Sequence, residues 1–319
     1  MGLQLALFAG VAPPEAPPPC VADPIPEGPI QPSPRQMGLF DAQVRQLRAA
    51  HEALTLADLT RAVSLLKGLD PGLDPLVPSM LRRSVELRRD LERVSTSSRP
   101  ARVAAHVEFG RHLATEGEPW SSLGRVLLVR AALELGPAEG VLAARLLLEA
   151  REPARARRVL LEVPGLPNAG TLFALGDVET ALEDRAAARR AYGDAQLLDP
   201  FDPALDQAAD EDVRGLPYLA EFEVEVDGEP RAWCAPVGIV AGILPRPREL
   251  AADLPLPSGV AGDRSVLLAR ARQFVDALVR AGSPDVQRSR ESLLEVRRCM
   301  KRASAPLFAW YMVRQVGAS

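Results

Sequence analysis

Apolar side chains recur at helical spacing along most of this sequence. In the first such stretch, Val44, Leu47, Ala50 and Leu54 are three or four residues apart, so they lie on one face of an amphipathic helix that begins at Asp41. The same spacing predicts further helices at about residues 59–66, 78–94, 263–281, 284–302 and 305–316. Because helical periods dominate the apolar pattern, the sequence predicts an all-α protein.

The segment before the first helix has a different composition. Proline recurs throughout residues 9–35, and each proline lacks a backbone donor and restricts φ, which disfavours both helices and central strands. We therefore predict that residues 1–35 form a disordered, semi-rigid tail, which holds the apolar segment Met1–Phe8 away from the folded body.

One short stretch departs from the helical period. Phe222, Val224 and Val226 alternate with glutamates and precede Asp227-Gly228, a pair that is typical of a tight turn between two strands. The pattern predicts a short β-hairpin within a mainly helical C-terminal region, although the prolines that follow the turn disfavour a regular return strand.

The most informative spacing lies between Ala169 and Pro200. Large, small and aromatic residues occupy positions there that suit two antiparallel helices in close contact. These positions are Leu172, Leu175 and Gly176 in the first helix, Ala188, Tyr192 and Ala195 in the second, and Pro200 at the end. The set resembles the tetratricopeptide repeat (TPR), a pair of helices that stacks into arrays.

The resemblance extends toward the N-terminus, but it is incomplete. Ala156 precedes Ala188 by about one repeat period, as does Leu160 for Tyr192. Glu179 stands where these repeats expect Tyr, and Leu172 stands where Trp is commonest. The resemblance therefore implies a degenerate array of stacked helical pairs.

Arrays of this family hold other proteins or peptides in a concave groove. The resemblance implies that Phe173, Asp177 and Thr180, on the exposed side of the first helix, face that groove. On this basis the expected partner is another protein or a peptide.

Two short apolar segments flank the proline-rich tail. Both follow the order Gln, large aliphatic, small residue, Leu, Phe, at Gln4-Leu5-Ala6-Leu7-Phe8 and Gln36-Met37-Gly38-Leu39-Phe40. They resemble the bacterial sliding-clamp-binding peptide, in which the glutamine hydrogen-bonds at a pocket rim and the aliphatic, Leu and Phe side chains fill apolar pockets. The resemblance implies a clamp-binding role for Gln4, Leu5, Leu7 and Phe8 and for Gln36, Met37, Leu39 and Phe40.

Two other interpretations of these segments stay open. Leu39 and Phe40 directly precede the first predicted helix, and packing on that helix as a hydrophobic staple is their alternative to clamp binding. Leu5, Leu7 and Phe8 have no adjacent helix, and docking into the protein's own array groove is their alternative to clamp binding.

Composition limits the remaining possibilities. Of 319 residues, 47% are hydrophobic and 4% are aromatic, and the formal net charge of −4 offers no general attraction for nucleic acid. The cysteines Cys20, Cys234 and Cys299 show no disulfide or zinc spacing, which predicts a reducing, cytoplasmic location. No apolar run reaches the length of a membrane span.

No catalytic or cofactor-binding motif is apparent. Lys67 and Lys301, the two lysines, lack the context of a phosphate-binding P-loop, and the sequence contains no dinucleotide-binding glycine fingerprint. The histidines His51, His106 and His112 have no acidic or cysteine partner at metal-ligand spacing. We therefore predict no cofactor, no metal and no enzymatic activity.

These observations predict four regions, namely a tail at 1–35, a helical hairpin and helix at 36–100, TPR-like repeats at 101–215, and a small helical region with a short hairpin at 216–319. The predicted function is that of a non-enzymatic adaptor or scaffold. A sliding-clamp-associated accessory factor in DNA replication or repair is the first alternative. An enzyme whose catalytic residues converge only in three dimensions is the second.

Overall fold

Helix is the only regular secondary structure in the residues that the computed structural model describes, which are 34–317 except 73, 248–250, 252, 253 and 258. The chain divides into two units, residues 1–45 and 46–319. The described part of the first unit belongs to helix α1 (Pro34–Thr55), which begins before its predicted start at Asp41. Pro34 suits this position because its missing N–H would have no partner within the helix.

Two further helices, α2 (Leu59–Lys67) and α3 (Val77–Ser95), confirm the predictions at 59–66 and 78–94. The Asp58 carboxylate caps α2 by accepting a hydrogen bond of 3.0 Å from the Arg61 N–H, which satisfies a donor that the helix leaves free. Leu54, Leu66 and Leu87 are buried in one apolar core with side chains from the next helices.

Six helices then form three consecutive antiparallel pairs. They are α4 (Arg99–Ala114) with α5 (Trp120–Glu134), α6 (Gly140–Glu149) with α7 (Pro153–Leu161), and α8 (Ala169–Ala181) with α9 (Arg185–Leu198). Each helix packs on the next one in the chain, and α6 also packs directly on α8. The pairs are therefore stacked on one another rather than strung out separately.

Glycines allow the helices of two pairs to approach closely. A Cβ atom at Gly124 would lie 2.6 Å from the Gly110 carbonyl oxygen, and one at Gly176 would overlap the Tyr192 ring. Side chains at these crossings would push the helices apart, so their absence sets the separation within α4–α5 and α8–α9.

The C-terminal region consists of α10 (Glu211–Arg214), α11 (Leu216–Tyr218), α12 (Cys234–Ala241), α13 (Asp263–Ala281), α14 (Pro284–Arg288), α15 (Arg290–Ala303) and α16 (Ala305–Gly317). Trp233, Phe274 and Tyr311 of this region share one core with Phe173 and Tyr192 of the third pair. The C-terminal region therefore covers the end of the stacked pairs.

The predicted β-hairpin is wrong, because the described residues around Asp227 form no strand. Leu219–Glu223 is a π-helical turn, and Pro230–Trp233 is a 3-10 turn. Leu216, Ala220 and Val224 are all buried, and their spacing of four is helical. Burial of that stripe outweighs the local alternation of valines and glutamates, since packing against the core decides between competing patterns.

The helix predicted over 284–302 is divided in two. Ser289 has extended backbone between α14 and α15, and its hydroxyl accepts a hydrogen bond of 3.2 Å from the Ser292 N–H. Because the Ser289 side chain caps α15, the backbone at Ser289 can leave the helical conformation and α14 ends there. Among the described helices, none is both long and apolar enough to cross a membrane.

Candidate functional site

The face of α8 that the repeat resemblance assigned to a groove is covered. Phe173 is 1% exposed and packs against the Tyr192 ring, with 6.2 Å between ring centroids. Its predicted exposure is therefore wrong. The reason lies beyond the repeat, because Ala204, Leu205 and Ala208 from the segment after α9 are buried in the same core.

Asp177 links α8 to this covering segment. Its Oδ1 atom accepts a hydrogen bond of 2.6 Å from the Tyr192 hydroxyl and one of 2.8 Å from the Ala209 N–H. Burial raises the pKa of Asp177 above its ordinary value, while these two bonds oppose the shift. Thr180 is half-buried, and its hydroxyl donates to the Gly176 carbonyl at 2.8 Å. In this structure Asp177 and Thr180 therefore form hydrogen bonds within the chain.

The other two first helices do present exposed stripes. Exposed positions recur at Ala104, Glu108 and Arg111 on α4 and at Leu142, Arg145 and Glu149 on α6. Arg111 donates two hydrogen bonds to Glu149, of 2.8 and 2.7 Å, which connect the two stripes. We call these six residues the first-helix face.

The two segments that resemble clamp-binding peptides are only partly described. The backbone of Gln36, Met37, Leu39 and Phe40 lies within α1, and their side-chain surroundings are outside the described part of the structure. Gln4, Leu5, Leu7 and Phe8 lie outside the described residues altogether.

A cavity of about 990 Å³ lies beside α9. It is bounded by α9, by the residues before α8, by α12 and by the segment that follows α12. Its lining is mainly aliphatic, and we call it the α9 cavity. Its lining residues are Leu166, Pro167, Leu172, Arg190, Gly193, Asp194, Leu197, Leu198, Ala235, Ile239, Leu244, Pro245, Arg246, Pro247, Ala251, Leu254 and Pro255.

One wall of the α9 cavity is irregular backbone held by a buried arginine. Arg272 of α13 is 3% exposed, and its guanidinium donates to the carbonyls of Leu254 at 2.6 Å and Pro255 at 3.1 Å. It also donates to Leu197 at 3.0 Å and Leu198 at 3.1 Å. These last two carbonyls end α9 and have no partner within the helix, so Arg272 joins the cavity wall to the end of α9.

A second buried side chain holds the same wall one helical turn later. The Asp276 carboxylate of α13 accepts a hydrogen bond of 2.6 Å from the Ala251 N–H, and both residues are buried. Burial lowers the pKa of Arg272, while Asp199 and Asp276 oppose that shift. Arg272 and Asp276 are four residues apart on α13, so their opposite charges attract each other while each side chain holds the wall.

Two arginines bring positive charge to the α9 cavity. Arg190 and Arg246 make no hydrogen bond or ion pair with any described residue. The Arg246 guanidinium lies beside Gly282, where a Cβ atom would overlap it, at the carboxyl end of α13, whose partial negative charge attracts a cation. Asp194 also lines the cavity, and it already has an interaction partner.

Sequence reasoning did not identify the α9 cavity. Two signals for it were present, since Gly193 interrupts a helix interior and Arg272 directly follows Ala271 on the apolar stripe of α13. Neither signal specifies a cavity without the positions of the lining residues that follow α12, such as Leu244 and Leu254, which belong to no periodic pattern.

No described group of three or more His, Cys, Asp or Glu side chains is placed to hold a metal ion. No known protein family matches the chain, and neither a curated protein nor a solved structure is significantly similar to it.

Proposed function

We propose that this protein is a non-enzymatic interaction protein in which residues 99–198 form a degenerate TPR-like array that holds a segment of another protein. The stacking of three helical pairs supports this proposal. So does the packing within the third pair, where Ala188 is 1% exposed and Gly176 lies against Tyr192, as the repeat resemblance implies.

One departure from the repeat pattern has a physical explanation under this proposal. Glu179 stands where the repeat expects Tyr, and its buried carboxylate pairs with Arg157 of α7 at 2.8 Å. This ion pair joins the second helical pair to the third. A charged contact therefore occupies an inter-repeat position that an aromatic contact fills elsewhere.

The observation that carries the proposal is the first-helix face. In a stacked array, the exposed stripes of successive first helices form one continuous surface. Leu142 is 46% exposed and lies three residues before the exposed Arg145, so the face combines an apolar contact with charged residues, as protein interfaces do. The covered face of α8 limits this surface to α4 and α6.

Site-specific photo-crosslinking in the full chain tests the proposal. A photoreactive residue at Leu142 should give discrete cross-linked products in cell extract, whereas one at Leu161, which is also exposed but lies on a second helix, should not. Arg145→Glu should remove the Leu142 products by reversing the rim charge. Identical products from both positions, or products indifferent to Arg145→Glu, would contradict the proposal.

Catalysis by the buried cysteine has no support. Burial raises the pKa of the Cys234 thiol well above its usual range, and the thiolate is the reactive form.

A second candidate function rests on the repeated Gln-x-x-Leu-Phe order at Gln4–Phe8 and Gln36–Phe40. Under this proposal, the tail attaches the protein to a bacterial sliding clamp, and the array presents a second partner there. Two tethered copies of a weak motif increase the overall affinity for a ring with repeated pockets.

A further inference from the structure

We infer that the α9 cavity is a binding site for a small aliphatic carboxylate, whose chain lies among the leucines and whose carboxylate binds Arg190 and Arg246. This inference goes beyond the proposed protein-binding role, because it uses none of the residues of the first-helix face.

The size and lining of the cavity indicate a small apolar ligand. A volume of about 990 Å³ is at the upper end of the range for small-molecule sites. Leu172, Leu197, Ile239 and Leu254 give it aliphatic walls. Displacing water from such walls favours the binding of an alkyl chain.

Gly193 gives the ligand access to the surface of α9. A Cβ atom built there would have no neighbour within 4 Å, even though Gly193 lies in the middle of a helix and is buried. Glycine is unfavourable at such a position, and neither a close approach nor a positive φ accounts for it here. The open space beside it belongs to the α9 cavity.

The polar groups of the cavity match a ligand with charge at one end only. Among its described lining residues there is no side-chain amide or hydroxyl, and four are prolines, which have no N–H. An extended peptide would bring a donor and an acceptor with every residue, and each needs a partner when it is buried. A fatty-acid-like molecule has no such groups along its chain.

The charges favour an anion over a cation. The charged lining residues are two arginines, Arg190 and Arg246, and one aspartate, Asp194, which already has an interaction partner. Guanidinium groups bind carboxylates through paired hydrogen bonds. Arg272 and Asp276 hold Ala251, Leu254 and Pro255 of the cavity lining through hydrogen bonds, and such preorganisation lowers the entropic cost of binding.

Isothermal titration calorimetry on the full chain tests the inference with three probes that share one alkyl chain. Dodecanoate should bind at micromolar concentration, while dodecanol and dodecylammonium should bind at least about ten-fold more weakly. Equal binding of all three would overturn the inference, since the arginines would then contribute nothing. Absence of dodecanoate binding up to about 1 mM would also overturn it.

Variants locate the binding site. Arg190→Gln and Arg246→Gln should each weaken dodecanoate binding about ten-fold, whereas Arg288→Gln, on the short helix α14 outside the cavity, should leave it unchanged. Gly193→Leu should fill the cavity and abolish binding without lowering the melting temperature, because its side chain enters open space. An unchanged dissociation constant in Gly193→Leu would overturn the site.

A peptide is the remaining occupant to test. A leucine-rich octapeptide with blocked ends should not displace dodecanoate. Displacement of dodecanoate by this peptide would show that the cavity is a peptide groove, and the inference would be wrong. The crosslinking result at Leu142 is independent of all these outcomes, so failure here leaves the proposed protein-binding function untouched.

Discussion

The Tyr192 hydroxyl donates a hydrogen bond of 2.6 Å to Asp177, and the same Asp177 oxygen accepts a second bond from the Ala209 N–H. One carboxylate oxygen thus joins the two helices of the third pair to the segment that covers them. Burial raises the pKa of Asp177 above its ordinary value near 3.8 and also raises the pKa of Tyr192.

This arrangement predicts a specific pH dependence. Because the pKa of Asp177 is higher in the folded than in the unfolded state, its contribution to stability is largest when it is protonated and is lost as pH rises through the folded pKa. Asp177→Asn keeps an oxygen that accepts both bonds and does not titrate. The free energy of unfolding of Asp177→Asn relative to the wild type, measured by urea denaturation, should therefore rise as the pH increases above the ordinary pKa of 3.8.

The matched variant Asp177→Ala separates the charge from the hydrogen bonds. It leaves the Ala209 N–H without its acceptor and removes the carboxylate to which the Tyr192 hydroxyl donates. We expect a loss of about 1–3 kcal/mol at pH 7. If Asp177→Ala were as stable as Asp177→Asn, the two bonds would not stabilise the covering of α8 by the segment after α9.

Arg272 should be among the side chains most sensitive to substitution. Arg272→Met would leave four carbonyls without their donor, those of Leu197, Leu198, Leu254 and Pro255. We expect a loss of about 3 kcal/mol or more, read from the urea midpoint. Arg264→Met is the control on the same helix, and removing its exposed ion pair with Glu229 should cost less than about 1 kcal/mol.

Ala188 tests the packing of the third pair. It is 1% exposed, so Ala188→Leu should overpack the contact between α8 and α9 and destabilise the protein by about 1–3 kcal/mol. Ala186 is exposed on the same helix, and Ala186→Leu should change stability by less than about 0.5 kcal/mol. Equal melting temperatures for the two variants would contradict the close packing at Ala188.

The tail has its own test. A peptide spanning Met1–Pro13 should bind a purified bacterial sliding clamp in a fluorescence anisotropy titration, and Leu7→Ala with Phe8→Ala should abolish that binding. The apolar anchors should dominate, because only large buried side chains offset the ordering of a short peptide. The clamp candidate would be removed if binding were indifferent to the double substitution. It would also be removed if neither this peptide nor one spanning Gln36–Phe40 bound the clamp.

Helical periodicity predicted the helices that bury a continuous apolar stripe. Leu267, Ala271, Phe274 and Leu278 recur at three or four residues, and α13 spans them. The pattern failed where two periods compete over few residues, as around Val224, because the local alternation carries no information about the core that buries it. It also missed the break at Ser289, where capping outweighs continuation of the helix.

The candidate sites were harder to predict because they depend on segments without a period. Phe173, Asp177 and Thr180 were assigned to a groove from the repeat alone, which cannot report that the residues after Pro200 fold back over α8. Leu172 and Glu179 were recognised as departures from the repeat. Only their neighbours explain them, since Leu172 lines the α9 cavity and Glu179 pairs with Arg157.

The single core shared by the third helical pair and the C-terminal region has a consequence for unfolding. Repeat arrays commonly open from their ends one unit at a time, yet α9 cannot separate from α13 without uncovering Tyr192 and Phe274 together and breaking the Arg272 bonds. Amide hydrogens of α9 and α13 should therefore exchange with solvent through one common opening event. We therefore expect the third pair and the C-terminal region to open as one cooperative block and stepwise opening of the array to begin at α4.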